Sequence, residues 1–145
     1  NTGTGDKKDF AVNLADNSGN ANKTESSDTM VSDYFTSMTL SRNRARDEAM
    51  EVLKGVTEDQ NATEEAKAEA AERISQIALD IQNEANIETL VKAKGFEECV
   101  AIISDNSVSV IVSADSLQAA EAAQILAIVY ETTGISPENV SIINR

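Results

Sequence analysis

The side chains that could do chemistry in this sequence are almost all carboxylates. There are 25 Asp and Glu residues, no His and a single Cys, and the formal net charge is −13. Histidine is the commonest general base and metal ligand, so its absence removes the usual route to both activities. Carboxylate pairs such as Glu97 with Glu98 lie in polar segments typical of a solvated surface. We therefore expect no enzyme, no cofactor and no metal site.

Two other features could carry chemistry, and each has a simpler interpretation. Cys99 lies within an apolar run that contains no Lys or Arg, which predicts a buried, unreactive thiol. The segment "SRNRAR", residues 41–46, suggests a phosphate site because it holds three arginines. Helical spacing, however, places Arg42 and Arg46 on one side and Arg44 next to Glu48, which favours a solvated helix face.

The charge balance argues against nucleic acid as a partner. Residues 96–145 contain seven acidic residues and one basic residue. Proteins that bind nucleic acid draw most of their affinity from Lys and Arg on the phosphates. The alternative hypothesis of an independent RNA-binding module of KH type also requires a Gly-x-x-Gly loop, which this sequence lacks.

Hydropathy patterning divides the chain into three predicted segments. Residues 1–28 are polar and predict a flexible linker. Residues 29–85 show apolar spacing of three and four, which predicts a helical segment with a break at Gly55. Residues 86–145 change from helical to alternating periodicity and predict a small αββαβ domain. The expected fold class is thus α+β, with N-terminal helices followed by a KH-like topology and a three-stranded sheet.

Four elements make up the sheet and its covering helix in this prediction. The strands are Cys99–Ile103, Ser107–Ser113 and Asn139–Ile143, and a helix over Ser116–Thr133 connects the second to the third. A short helix, Asn86–Ala93, precedes them. Because the first strand is apolar on both faces, we expect it at the centre, in the order second–first–third.

The two strands predicted at the edges are the candidate binding site. An edge strand presents unpaired N–H and C=O groups to which another strand can add. Each predicted edge also has one large apolar residue on its polar face. The candidate partner-binding residues lie on these two strands: Ser109, Ile111, Ser113, Ser141 and Ile143.

Three stretches of the sequence resemble a known family. They are "DYFTSMTLSRNRARDEAMEVLKGV", "EEAKAEAAERISQIALDIQNEANIETLVKAKGFEECVAIIS" and "ILAIVYETTGISPENVSIINR", which together run from Asp33 to Arg145. They resemble the stage III sporulation protein AH family of endospore-forming bacteria. The αββαβ end is also similar in fold to the ring-building domains of type III secretion basal-body lipoproteins.

The resemblance implies a structural role in sporulation. Members of this family are anchored in the mother-cell membrane by an N-terminal helix, which we expect to lie outside this chain. Their soluble part lies in the intermembrane space facing the forespore and binds stage II sporulation protein Q. The resemblance thus implies a component of the channel between mother cell and forespore, forming a homo-oligomeric ring in the assembled complex.

Overall fold

The computed structural model describes the backbone from residue 23 to Arg145 and the side chains from Thr29 onward. The predicted linker, residues 1–28, lies outside the described residues except for its last six, which are helical. The chain divides into two compact units, Asn1–Tyr34 and Phe35–Arg145. The sheet and the candidate site belong to the second unit.

Two long helices begin the described chain. Helix α1 spans Lys23–Glu58 and helix α2 spans Glu64–Lys92. The hydroxyl of Thr63 caps α2 by accepting a hydrogen bond from the backbone N–H of Ala66 at 3.0 Å. The short helix predicted over Asn86–Ala93 is the C-terminal end of α2, which continues across the proposed domain boundary at residue 86.

The remaining elements form the sheet and a third helix. Strand β1 is Cys99–Ser104, β2 is Ser107–Val112, and β3 is Val140–Asn144. Helix α3, Ala119–Thr133, and a short 3₁₀ turn, Pro137–Asn139, connect β2 to β3. The three helices and the three-stranded sheet of the described residues confirm the predicted α+β class.

The strand order differs from the prediction. The order is β1-β2-β3, with β2 antiparallel to β1 and parallel to β3, so the prediction of β1 at the centre is wrong. The apolar character of β1 does reflect burial, since Val100 and Ala101 are almost inaccessible. Burial of a strand does not, however, require a strand on each side of it. The edge of β1 is covered by side chains from the helices, as described below.

The core lies between one face of the sheet and the helices α2 and α3. Val108, Val110 and Val112 alternate inward along β2 and have exposures of 1 % or less. Ile87 and Val91 at the end of α2 and Ile125, Ile128 and Val129 of α3 cover them. The two helices thus pack side by side on one face of the sheet.

Candidate binding site

The edge at β3 is open. Arg145 donates its backbone N–H to the C=O of Val112 at 2.9 Å and accepts from the N–H of Ala114 at 3.0 Å. Because alternate residues of a parallel strand face the neighbouring strand, the backbone groups of Ile142 and Asn144 point away from the sheet. Neither of these N–H groups donates a hydrogen bond to a described residue. This edge can therefore pair with an added strand.

The edge at β1 is closed by charged side chains. The backbone N–H of Ala101 donates to the Glu88 carboxylate at 2.9 Å, and that of Ile103 donates to Glu84 at 2.8 Å. The Arg42 guanidinium donates to the C=O of Ala101 at 2.7 Å. Three outward-facing backbone groups of β1 thus have side-chain partners in place of a neighbouring strand.

The same carboxylates hold α1 against α2. Arg46 donates to both oxygens of Glu84, each at 2.8 Å, in a bidentate pair. Arg42 donates to Glu88 at 2.8 Å and lies 3.5 Å from Glu84. The Glu84 side chain is 1 % exposed, and the arginines are 13 % and 12 % exposed. This ionic network of Arg42, Arg46, Glu84 and Glu88 joins three elements in a largely water-excluded site.

One pKa in the network responds to this geometry. The hydrogen bond to Glu84 raises the pKa of Arg46 above its ordinary value, against the opposing effect of burial. Arg46 therefore stays charged at every physiological pH. The Arg46 side of the bidentate pair therefore keeps its positive charge.

The structure separates the five predicted partner-binding residues. Ser109 and Ile111 lie on β2, the central strand, so the prediction that this strand forms an edge is wrong. Ser113 follows β2, and its backbone N–H donates to the C=O of Glu98 at 3.0 Å. Ile111 is also only 2 % exposed. Ser141 and Ile143 do lie on the open edge strand, and Ile143 is 40 % exposed. Only β3 retains the edge position on which the hypothesis depends.

The prediction that Arg42 and Arg46 lie on a solvated helix face is wrong. The two share one side of α1, as helical spacing predicts, but they turn inward to the carboxylates of α2. A signal for this was present in the sequence. Arg42 and Arg46 are four residues apart, and so are Glu84 and Glu88, and the pairs form in reverse order as antiparallel helices require.

A cleft of about 320 Å³ lies between α1, α2 and the β1–β2 turn. Its floor is mostly apolar. Its rim carries Arg73 and Asp105, and neither side chain forms a hydrogen bond with a described residue. The ionic network forms one wall, so α1 approaches its neighbours through long side chains and does not pack closely along α2. The apolar stripe of α2 is consequently only partly covered, and Ile81 remains 48 % exposed.

Cys99 lies at the start of β1, beside the network. It is a free thiol and is 4 % exposed. Burial, with a smaller contribution from the Glu88 carboxylate, raises the pKa of Cys99 to about 12. At neutral pH the thiolate population is negligible, which agrees with the buried, unreactive thiol expected from the sequence.

No group of three or more His, Cys, Asp or Glu residues in the described part of the chain is arranged to hold a metal ion. None of the described helices is long and apolar enough to cross a membrane.

The fold and the edge geometry define a class of protein: a small α+β domain whose edge strand β3 has no pairing strand on its outer side among the described residues. The SpoIIIAH-like protein family matches residues 1–142, and the chain belongs to that family. It is similar to stage III sporulation protein AH of Bacillus subtilis (strain 168), with 26 % identity over 102 residues. That match covers 70 % of this chain and 47 % of the relative, so the chain spans about half of the relative's length.

A solved structure has the same fold. One chain of the SpoIIQ-SpoIIIAH pore forming complex superposes with a TM-score of 0.71 and 23 % identity. The match covers 77 % of this chain and 96 % of that chain. The α+β arrangement described here is therefore the one found in that complex.

Proposed function

We propose that this chain is a structural component of the channel between mother cell and forespore, and that it binds a stage II sporulation protein Q-type partner. Membership of the SpoIIIAH-like family and the shared fold with a chain of the SpoIIQ-SpoIIIAH complex support this proposal. On the same grounds, we infer that the protein is anchored in the mother-cell membrane. The domain then faces the forespore from the intermembrane space and assembles into a ring.

The open edge of β3 is the surface that supports partner binding by strand addition. An added strand would pair with the outward backbone groups of Ile142 and Asn144, and Ile143 would pack beside it. Main-chain hydrogen bonds supply affinity in this mode, and exposed side chains supply specificity. The single observation that carries the proposal concerns β3. Its outward backbone groups have no partner among the described residues, and Ile143 beside them is 40 % exposed.

The test is a proline at an outward-facing N–H of β3. Asn144→Pro removes that donor and places the proline ring at the edge of the sheet. The strand tolerates proline here because the lost N–H faces solvent and not β2. The side chain of Asn144 also donates to the C=O groups of Ala114 and Asp115, at 3.1 and 3.2 Å. Asn144→Ala loses the same side-chain bonds but keeps the N–H, and is therefore the matched control.

We expect the alanine variant to bind the extracytoplasmic domain of the Q-type partner nearly as well as the wild type. The proline variant should bind about tenfold or more weakly, because a hydrogen bond is lost and the ring excludes the added strand. Isothermal titration calorimetry measures both, and circular dichroism confirms that each variant is folded. Equal affinity of the folded proline and alanine variants would show that the partner does not use this edge.

A further inference from the structure

The two edges of the sheet are treated differently by the rest of the molecule, and this difference points to a function for the ionic network. The outward groups of β3 have no partner among the described residues, whereas three of those on β1, the N–H and C=O of Ala101 and the N–H of Ile103, are bonded to Glu84, Glu88 and Arg42. Two carboxylates and a guanidinium are an unusual way to cover an edge, because their burial requires desolvation. A solvent-exposed lysine or proline would protect an edge at less expense.

We propose that the Arg42–Glu84–Glu88 network is an edge lock that masks a second strand-addition site on β1. The occupant that the lock excludes is the β3 edge of another copy of this chain. β3 is the open edge of the described sheet, and an unmasked β1 would present its outward N–H and C=O groups to it.

The geometry of such a contact explains why it must be prevented. A β1-to-β3 contact joins two different surfaces, so each copy would still have one edge of each kind available. Contacts of this kind propagate into open chains unless the rotation happens to close a ring. They would also occupy the β3 edge that the proposed function reserves for another protein. With β1 locked, each copy has one edge and accepts one strand.

The lock is built so that its removal need not unfold the domain. Glu84 is fully buried and joins Arg46 in the bidentate pair, but Arg42 and Glu88 are partly exposed, at 13 % and 21 %. Those two residues supply the partners of both the N–H and the C=O of Ala101. A double Arg42→Ala/Glu88→Ala variant therefore opens the edge at Ala101 and leaves the Glu84–Arg46 pair in place.

The matched control also removes one arginine and one glutamate, but from the exposed face of α1 and without touching β1. Arg44 and Glu48 are exposed on α1 and take no part in the network. Arg44→Ala/Glu48→Ala has the same net charge as the test variant. If the alanine test variant fails to fold by circular dichroism, Arg42→Met/Glu88→Met replaces it, because methionine keeps the packing volume and leaves no unpaired charge.

The experiment measures oligomeric state by sedimentation velocity across a concentration series. We expect the test variant to self-associate with rising concentration, at concentrations where the wild type and the control stay at their original size. Adding Ala101→Pro removes the outward N–H and should reverse the association. A folded test variant that sediments like the control at all concentrations would overturn the proposal, as would association that Ala101→Pro leaves unchanged.

Hydrogen exchange gives a second test on the unaltered protein. The backbone N–H groups of Ala101 and Ile103 should exchange at least about tenfold more slowly than that of Ile142, although all three point away from the sheet. Exchange of Ala101 and Ile103 as fast as Ile142 would show that the carboxylates do not hold the edge, and would overturn the lock.

Discussion

At the scale of single residues, burial decides which groups are inert and which carry the architecture. Cys99 and Glu84 are both almost inaccessible, but their environments differ. The thiol is surrounded by apolar side chains and stays neutral, whereas the carboxylate is met by two arginines and a backbone N–H. The Cys99 thiol is buried in its neutral form, whereas the Glu84 carboxylate is buried as a charge that is paired.

The pKa of Cys99 makes a prediction about pH. Folding raises this pKa from 9.0 to about 12, so the folded state keeps its proton at pH values where the unfolded state loses it. The stabilising contribution is complete below pH 9 and is lost as the pH rises towards 12. We expect the wild type to lose about 1 kcal/mol of stability between pH 7 and pH 10 relative to Cys99→Val.

Urea denaturation of both proteins at the two pH values measures this difference, and the comparison cancels the titration of lysines. Labelling with a thiol reagent under native conditions should also be slow and should accelerate in urea. Rapid labelling of the folded protein would contradict the buried state of Cys99.

Glu84→Gln tests the energetic role of the buried carboxylate. The substitution keeps the shape of the side chain but leaves Arg46 without its charged partner in a site with little water. We expect a loss of about 3 kcal/mol in the free energy of unfolding, as is typical when one member of a buried ion pair is removed. Glu88→Gln should be milder because Glu88 is partly exposed. Equal effects of the two changes would show that burial does not set the strength of the network.

At the scale of the elements, local pattern predicted well and strand neighbours did not. Alternation identifies all three strands to within one residue at every end, and Gly134 follows α3 in a left-handed conformation. Helix α3 begins at Ala119 and not at Ser116. At its start the carboxylate of Glu121 accepts a hydrogen bond from the backbone N–H of Gln118 at 3.0 Å. These features depend on residues close together in the chain.

Strand order depends on contacts that the pattern does not contain. An apolar strand at the centre of a sheet and an apolar strand under two helices have the same alternation, so β1 could not be distinguished from β2 by sequence pattern alone. The side-chain cover of β1 comes from residues more than a dozen positions away. The open edge at β3 was anticipated, but the closed edge at β1 could only be seen in three dimensions.

The register of β3 determines how a proline at Ser141 would act. The backbone N–H of Ser141 faces β2, by the same alternation that turns Asn144 outward. Ser141→Pro should therefore break the β2–β3 ladder and destabilise the domain by about 3 kcal/mol. Asn144→Pro should leave the melting temperature much closer to that of the wild type. Thermal melts followed by circular dichroism compare the two, and a Ser141→Pro variant as stable as Asn144→Pro would contradict the assigned register.

At the scale of the whole molecule, charge governs how copies meet. The chain has 25 acidic and 12 basic residues, and α1 directs two of its arginines inward to the network. Copies of the chain therefore repel one another through a strongly acidic surface, while an edge-on contact with a partner uses neutral backbone groups. Any ring of copies must form through surfaces other than the locked β1 edge, against this repulsion.

Salt distinguishes the two kinds of association. Added salt screens repulsion between exposed charges, with a Debye length of about 10 Å at 0.1 M and about 3 Å at 1 M. We expect self-association of the wild-type domain, measured by sedimentation at high protein concentration, to increase between about 0.05 M and 0.5 M salt. Strand addition at β3 depends mainly on backbone hydrogen bonds and should change less. Self-association that weakens with salt would mean that copies meet through ion pairs. Arg73 at the cleft, which has no ion-pair partner among the described residues, would then be the first position to substitute.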